Sequence, residues 1–141
     1  MTEDELKKLT KQFALRILKL VAALPKSTAG RTIGNQLARS GTSVPENYRA
    51  ACRARSKAEF ISKLGIVEEE ADESGLWLEL IIEGGLMKKA LVEPLWLEAN
   101  ELVAIMTSSR KSAAKSLAAN PPRRVARARV IVPIANQKSK I

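Results

Sequence analysis

Histidine is absent from the 141 residues, which removes the commonest general base and the commonest metal ligand at neutral pH. Cysteine occurs once, at Cys52, so no disulfide can form within the chain; at a mid-helix position a lone thiol reads as a small packing residue. Aromatic residues are few: two Trp, one Tyr and two Phe. No run alternates β-branched or aromatic residues with polar ones, so a sheet is not expected. No apolar run approaches the ~18 residues of a membrane span, and the polar start MTEDELKKLT lacks the apolar core of a signal peptide. These absences point to a cytoplasmic, all-α protein with no membrane partner. A Gly-rich phosphate loop and a nucleophile–base pair are missing too, and no enzyme, catalytic residue or cofactor is expected.

What is present is helical periodicity. Leu6, Leu9, Phe13, Ile17, Leu20 and Leu24 recur at spacings of three and four and predict a first helix from Asp4 to Leu24, capped by Thr2 with Glu5 and stopped by Pro25. Phe60, Leu64, Val67, Ala71, Ser74, Leu78 and Ile81 mark a third helix, with Ser56 and Glu59 as its capping box and Gly84-Gly85 as its end. Leu95, Ala99, Leu102, Met106 and Ser109 continue the rhythm in a fourth, beginning near Leu91 to Pro94. The fold class is an up-down four-helix bundle over residues 1–117, followed by a basic, flexible tail over 118–141.

The stretch ARSGTSVPENYRAACRAR, residues 38–55, combines a glycine and a proline that usually signal a loop with flanks that read as helix. Phase decides between them. At 100° per residue Ile33, Leu37, Ser40, Val44, Tyr48 and Ala51 fall within about 40° of one line, which a loop over residues 40–46 would not preserve. A single helix from Thr28 to Arg53, bent at Pro45, is therefore predicted; the alternative is a break with Ser43 and Glu46 capping a new helix. On that wheel Arg31, Arg39, Arg49 and Arg53 lie within about 80° of each other opposite the apolar stripe and project outward together, with Arg55 and Lys57 following.

Charge is segregated along the chain, whose net charge is +9. Lys26, Arg31, Arg39, Arg49, Arg53, Arg55, Lys57 and Lys63 face only Glu46 and Glu59 in residues 26–63, whereas residues 64–101 are acidic and residues 112–141 contain no acid at all. A basic helix plus a basic tail is the footprint of a polyanion partner, RNA or DNA, with Arg31, Arg39, Arg49, Arg53, Arg55, Lys57, Arg123, Arg124, Arg127 and Arg129 as its phosphate contacts. The plainer reading is solvated charge that keeps the protein in solution. The acids Glu68, Glu69, Glu70, Asp72 and Glu73 do not suggest a metal site, because di-metal bundles use Glu-x-x-His pairs. They read as a solvated face or as partners for a basic helix. Ile66, Leu76, Trp77 and Leu80 lie among those acids, away from the seam of the third helix; a helix apolar on two faces predicts a homo-oligomer interface there.

The pieces QLxRSxxSVPxN at 36–47, RSKxxF at 55–60, EADES at 70–74 and EANELVAI at 98–105 resemble the four-helix-bundle proteins encoded within ribosomal-RNA intervening sequences, a group related to the accessory variability proteins of diversity-generating retroelements. The similarity covers residues 8–115. Many members have Glu and then Gly after the asparagine, where this chain has Arg49 to Arg53. The resemblance implies an up-down four-helix bundle that assembles as a ring-shaped homopentamer with no known catalytic residues. In the retroelement branch it implies a basic partner of a reverse transcriptase and its template RNA. Two functions are thus in view: a nucleic-acid-binding accessory protein, or a protein-interaction scaffold of the intervening-sequence type.

Overall fold

Three of the four helices start where a side chain supplies the hydrogen-bond acceptor that the first turn lacks. The computed structural model describes residues 1–123, in four helices: α1 (Glu3–Ala22), α2 (Thr28–Cys52), α3 (Lys57–Glu83) and α4 (Lys89–Ala119). Thr2 Oγ1 accepts from the N–H of Glu5, Ser27 Oγ from Gly30 and Ser56 Oγ from Glu59, each at 3.1 Å. The Glu59 carboxylate reaches back to the N–H of Arg55, one residue before the cap that a reciprocal capping box would serve. α4 has no such signal. Its cap is Lys88, which makes no side-chain bond, and the helix therefore begins before the Leu91–Pro94 region that the sequence suggested, with Pro94 inside it.

The α3 terminus is a Schellman motif: Leu86 donates to Ile81 and Gly85 to Ile82, with Gly85 at φ +67°, where a Cβ would be strained. α1 closes two residues early, Ala23 and Leu24 bonding back three residues to Leu20 and Val21, yet Leu24 stays buried.

α2 runs unbroken through Pro45, as its phase predicted. Ser43 does not cap a new helix; its hydroxyl donates to the carbonyl of Arg39, four residues back. Gly41, four residues before Pro45, sits where α1 and α2 come close. A Cβ there would lie 2.8 Å from Ile17 Cγ2, so glycine lets α1 approach α2 closely.

α1 packs on α2 and α4, and α3 packs on the same two, while the diagonal pairs α1–α3 and α2–α4 do not touch among the described residues. Phe13, Ile17, Leu37, Val44, Leu64, Val67, Leu78, Ile81, Leu102 and Met106 fill the centre. The serines on the apolar seams face each other: Ser40 and Ser74 share a buried hydroxyl–hydroxyl bond of 2.8 Å, in which one hydroxyl donates to the other and that other donates to a carbonyl of its own helix. Burial without an unsatisfied hydroxyl follows.

The boundary expected at residue 117 falls inside α4, which continues to Ala119. Arg124, Arg127 and Arg129 lie outside the described residues, as does most of the expected tail.

Candidate nucleic-acid interface

α1 and α2 run antiparallel, so the first half of α1 lies beside the last half of α2. That adjacency sets Lys7 and Lys11 against Arg49 and Arg53, which are themselves one helical turn apart. A cleft of about 510 Å³ is lined by Lys11, Thr42, Pro45, Glu46, Arg49 and Arg53, and a neighbouring one of about 250 Å³ by Lys7, Arg49 and Arg53. Arg49 and Arg53 are exposed. Among the described residues Lys11, Arg49 and Arg53 have no ion-pair partner, and Lys7 has one, Glu3 at 3.5 Å across a helix turn. Four cations around one concave surface, with Glu46 the one acid in its lining, concentrate positive potential there.

Beneath this surface the chemistry is quiet. Burial pushes the Tyr48 hydroxyl well above its ordinary range, with a hydrogen bond to Cys52 adding to the effect. Burial likewise raises the Cys52 thiol, which keeps it protonated and a poor nucleophile at neutral pH, in keeping with a packing role.

The other predicted contacts divide by location. Arg55 and Lys57 sit exposed at the same end of the bundle, Lys57 Nζ donating to Ser116 Oγ of α4 at 2.8 Å. Arg123, at the far end of α4, is exposed as well. Arg31 is at the opposite end, where its guanidinium donates to the carbonyl of Lys26 at 2.7 Å.

Arg39 departs from the expectation that it projects freely with the rest. It is held on the α2–α3 side, donating to Glu70 at 3.1 Å and to Glu73, and the Glu73 hydrogen bond raises its already high pKa. The physical reason is the neighbour: α3 is acidic where α1 is basic. Lys7 and Lys11 were missed by sequence reasoning. The available signal was their one-turn spacing on α1, but nothing in the α2 pattern said which helix would lie alongside.

The acids of α3 also divide. Glu70 and Glu73 serve Arg39, Glu68 pairs with Arg110 of α4 at 2.9 Å, and Glu69 and Asp72 point outward. Among the described residues no group of three or more His, Cys, Asp or Glu is placed to hold a metal ion. No helix among them is long and apolar enough to cross a membrane. Of the predicted interface residues, Leu76 and Leu80 are exposed, whereas Ile66 and Trp77 are half-buried, Trp77 Nε1 donating to Glu73 at 3.1 Å.

A family model described as 23S rRNA-intervening sequence protein matches residues 3–108. Among solved structures, one of a protein of unknown function from the S23 ribosomal protein family of Bacteroides thetaiotaomicron is similar, with 33% sequence identity and a TM-score of 0.73 over 79% of this chain and 99% of that one. No curated protein matches.

Proposed function

Because the chain belongs to the 23S rRNA-intervening sequence protein family, and because Lys7, Lys11, Arg49 and Arg53 converge on one surface, we propose that it is a non-catalytic, oligomeric nucleic-acid-binding protein of the cytoplasm. The convergence of four cations, three of them without an ion pair among the described residues, is the observation that carries this reading. Their geometry is that of phosphate contact: long side chains on an outer helix surface, with no element shaped to enter a groove and read base edges. Arg55, Lys57 and Arg123 extend the surface at the same end of the bundle. Arg39 is left out, since Glu70 and Glu73 already hold it.

Binding should be sequence-tolerant, equal in kind for RNA and DNA, and steeply dependent on salt. Four phosphates neutralised per surface correspond to a loss of about a hundredfold in affinity between 50 and 200 mM salt. A titration of a mixed-sequence RNA and a duplex DNA at those two salts tests it, and a chain that binds neither at low salt sinks it. The narrower role, partner of a reverse transcriptase and its template RNA, belongs to the retroelement branch, and the matched family is the intervening-sequence one.

That match, together with Arg39, is what favours the second reading, a protein-interaction scaffold: an arginine spent on an acidic helix makes no phosphate contact. The homo-oligomer is part of both readings, with Leu76, Leu80, Ile66 and Trp77 of α3 at its interface and a pentamer as the ring size to test. Light scattering against the 15.4 kDa of one chain measures it.

A further inference from the structure

Of the six exposed leucines among the described residues, Leu91 and Leu97 lie on α4 and the other four fall in two pairs. Leu15 and Leu18 on α1 are 50% and 43% exposed, and Leu76 and Leu80 on α3 are 48% and 40% exposed. Their surroundings carry opposite signs. Leu15 and Leu18 share their outward face with Lys8 and Lys11, and Leu76 and Leu80 share theirs with Glu69 and Asp72, all four of them exposed and without an ion pair among the described residues. Each pair of leucines therefore has an apolar centre and a charged flank, basic on one helix and acidic on the other.

We infer that these two faces are the two halves of one head-to-tail contact, α1 of one copy of this chain against α3 of the next. The inference rests on the homo-oligomer reading and names its missing half. α1 and α3 are diagonal in the bundle and do not touch, so one copy can use both faces at once. They also stand within about one turn of the same height. Gly41 of α2 lies against Ile17, and its neighbour Ser40 bonds Ser74, which sets Ile17 level with Ser74. A second route across α4 agrees: Arg16 pairs with Glu98, and Gly75 lies against Ala99 and Asn100. Leu15 and Leu18 therefore come within about one turn (~5.4 Å) of the level of Leu76.

Equal height matters because a heterologous contact closes into a ring only if it adds no rise per copy; a rise makes a filament. Within a ring of bundles standing side by side, α1 and α3 of neighbours run parallel. Along each, the order and spacing of the pairing groups match: Lys8, Lys11 and Leu15 against Glu69, Asp72 and Leu76. Cation meets anion at one end and leucine meets leucine at the other. Lys11 stands at the border between this face and the cleft, so in the assembly it is shared between Asp72 of the next copy and the basic surface, on which Lys7, Arg49 and Arg53 stay uncovered.

Two one-faced variants test the contact. Leu15→Glu with Leu18→Glu removes the α1 half, and Leu76→Glu with Leu80→Glu removes the α3 half, so that the two altered faces repel each other; all four positions are exposed, and unchanged helicity by circular dichroism verifies folding. Each variant alone should be monomeric by light scattering. Mixed in equal amounts, they retain one intact α3 face and one intact α1 face, and should form a one-to-one complex and nothing larger. If the parent chain is oligomeric but the α1 variant still assembles, or the mixture stays monomeric, this contact is wrong while the oligomer reading stands. A monomeric parent chain overturns both.

Discussion

The two flanks of α2 carry the same residue type to different ends. On the α3 side Arg39 meets Glu70 and Glu73 and is consumed in ion pairs. On the α1 side Arg49 and Arg53 meet Lys7 and Lys11, and no acid of the neighbouring helix neutralises them. An arginine's availability is thus decided by the helix packed beside it, not by the face of its own helix from which it leaves. Ordinarily helices in contact trade opposite charges along their edges, since like charges close together cost free energy. The α1–α2 edge keeps four cations together at that cost, which the anionic ligand proposed above would offset.

The largest effect should come from removing that cluster. Changing Lys7, Lys11, Arg49 and Arg53 together to Gln should lower nucleic-acid affinity at 50 mM salt by about a hundredfold, or about 2.7 kcal/mol, and flatten the dependence of log affinity on log salt. Electrophoretic or fluorescence titration at several salts reads both quantities. Unchanged affinity with an unchanged slope would remove the distinction between the two flanks and favour the scaffold reading.

The fold was legible because its signals are local. Phase alone carried α2 through Pro45, and the Thr2 and Ser56 caps and the Gly84-Gly85 stop were readable from a few adjacent residues. The start of α4 was not, since Lys88 offers no side-chain cap to announce it. The site was legible by half. Arg49, Arg53, Arg55 and Lys57 are close in sequence and stay close in space, but the partnership of Arg49 with Lys7 spans α1, a turn and most of α2. Helix phase tells which side of a helix is outward, and it is silent on which outward residues a neighbouring helix will reach. That silence is why Arg39 was grouped with the free arginines and Lys7 and Lys11 were left out.

The next effect concerns what brings the α1–α2 flank together. Gly41 lets α1 approach until Ile17 occupies the space that a Cβ would need. Gly41→Val should therefore cost about 1–3 kcal/mol of stability through overpacking, read as a lower urea midpoint. It should also push Lys7 and Lys11 away from Arg49 and Arg53 and weaken nucleic-acid binding. Adding Ile17→Ala returns space, so the double variant should recover part of the binding even where stability is not regained. A Gly41→Val chain as stable as the parent would show that α1 has room to spare.

A smaller effect concerns the acids of α3 on their other side, toward α4. The Arg110 guanidinium, by its hydrogen bond, holds the Glu68 carboxyl below the ordinary value of 4.5. A carboxyl with a depressed pKa in the folded state adds stability above its unfolded pKa, and that stability is lost as pH falls through the folded value. Glu68 and Arg110 remain partly exposed, so about 0.2–1 kcal/mol is at stake. Arg110→Gln should lower the urea midpoint at neutral pH and leave it nearly unchanged well below pH 4.5. An equal loss at both would mean that Arg110 acts through packing of its alkyl stem rather than through its charge.

The smallest expected effect is the one most able to break the comparison. Arg39 already has two carboxylates within reach, and a phosphate would have to displace at least one of them to bind it. Its removal should accordingly leave nucleic-acid affinity and salt slope where they were, although Arg39 is as exposed as Arg49 and carries the same charge. The long-range contribution of its charge is small, because Glu70 and Glu73 more than neutralise it and salt screens what is left within a Debye length of about 8–10 Å. Arg39→Gln should instead loosen the α2–α3 edge slightly, because Glu73, which also accepts from Trp77 Nε1, loses the guanidinium that holds it in place. Measured side by side, Arg39→Gln and Arg49→Gln should differ in the slope of log affinity against log salt by about one phosphate, ~0.9. If the two variants lose affinity and slope equally, the ion pairs of Arg39 open to admit phosphate, both flanks of α2 belong to one binding surface, and exposure rather than the neighbouring helix sets what an arginine on this bundle can do.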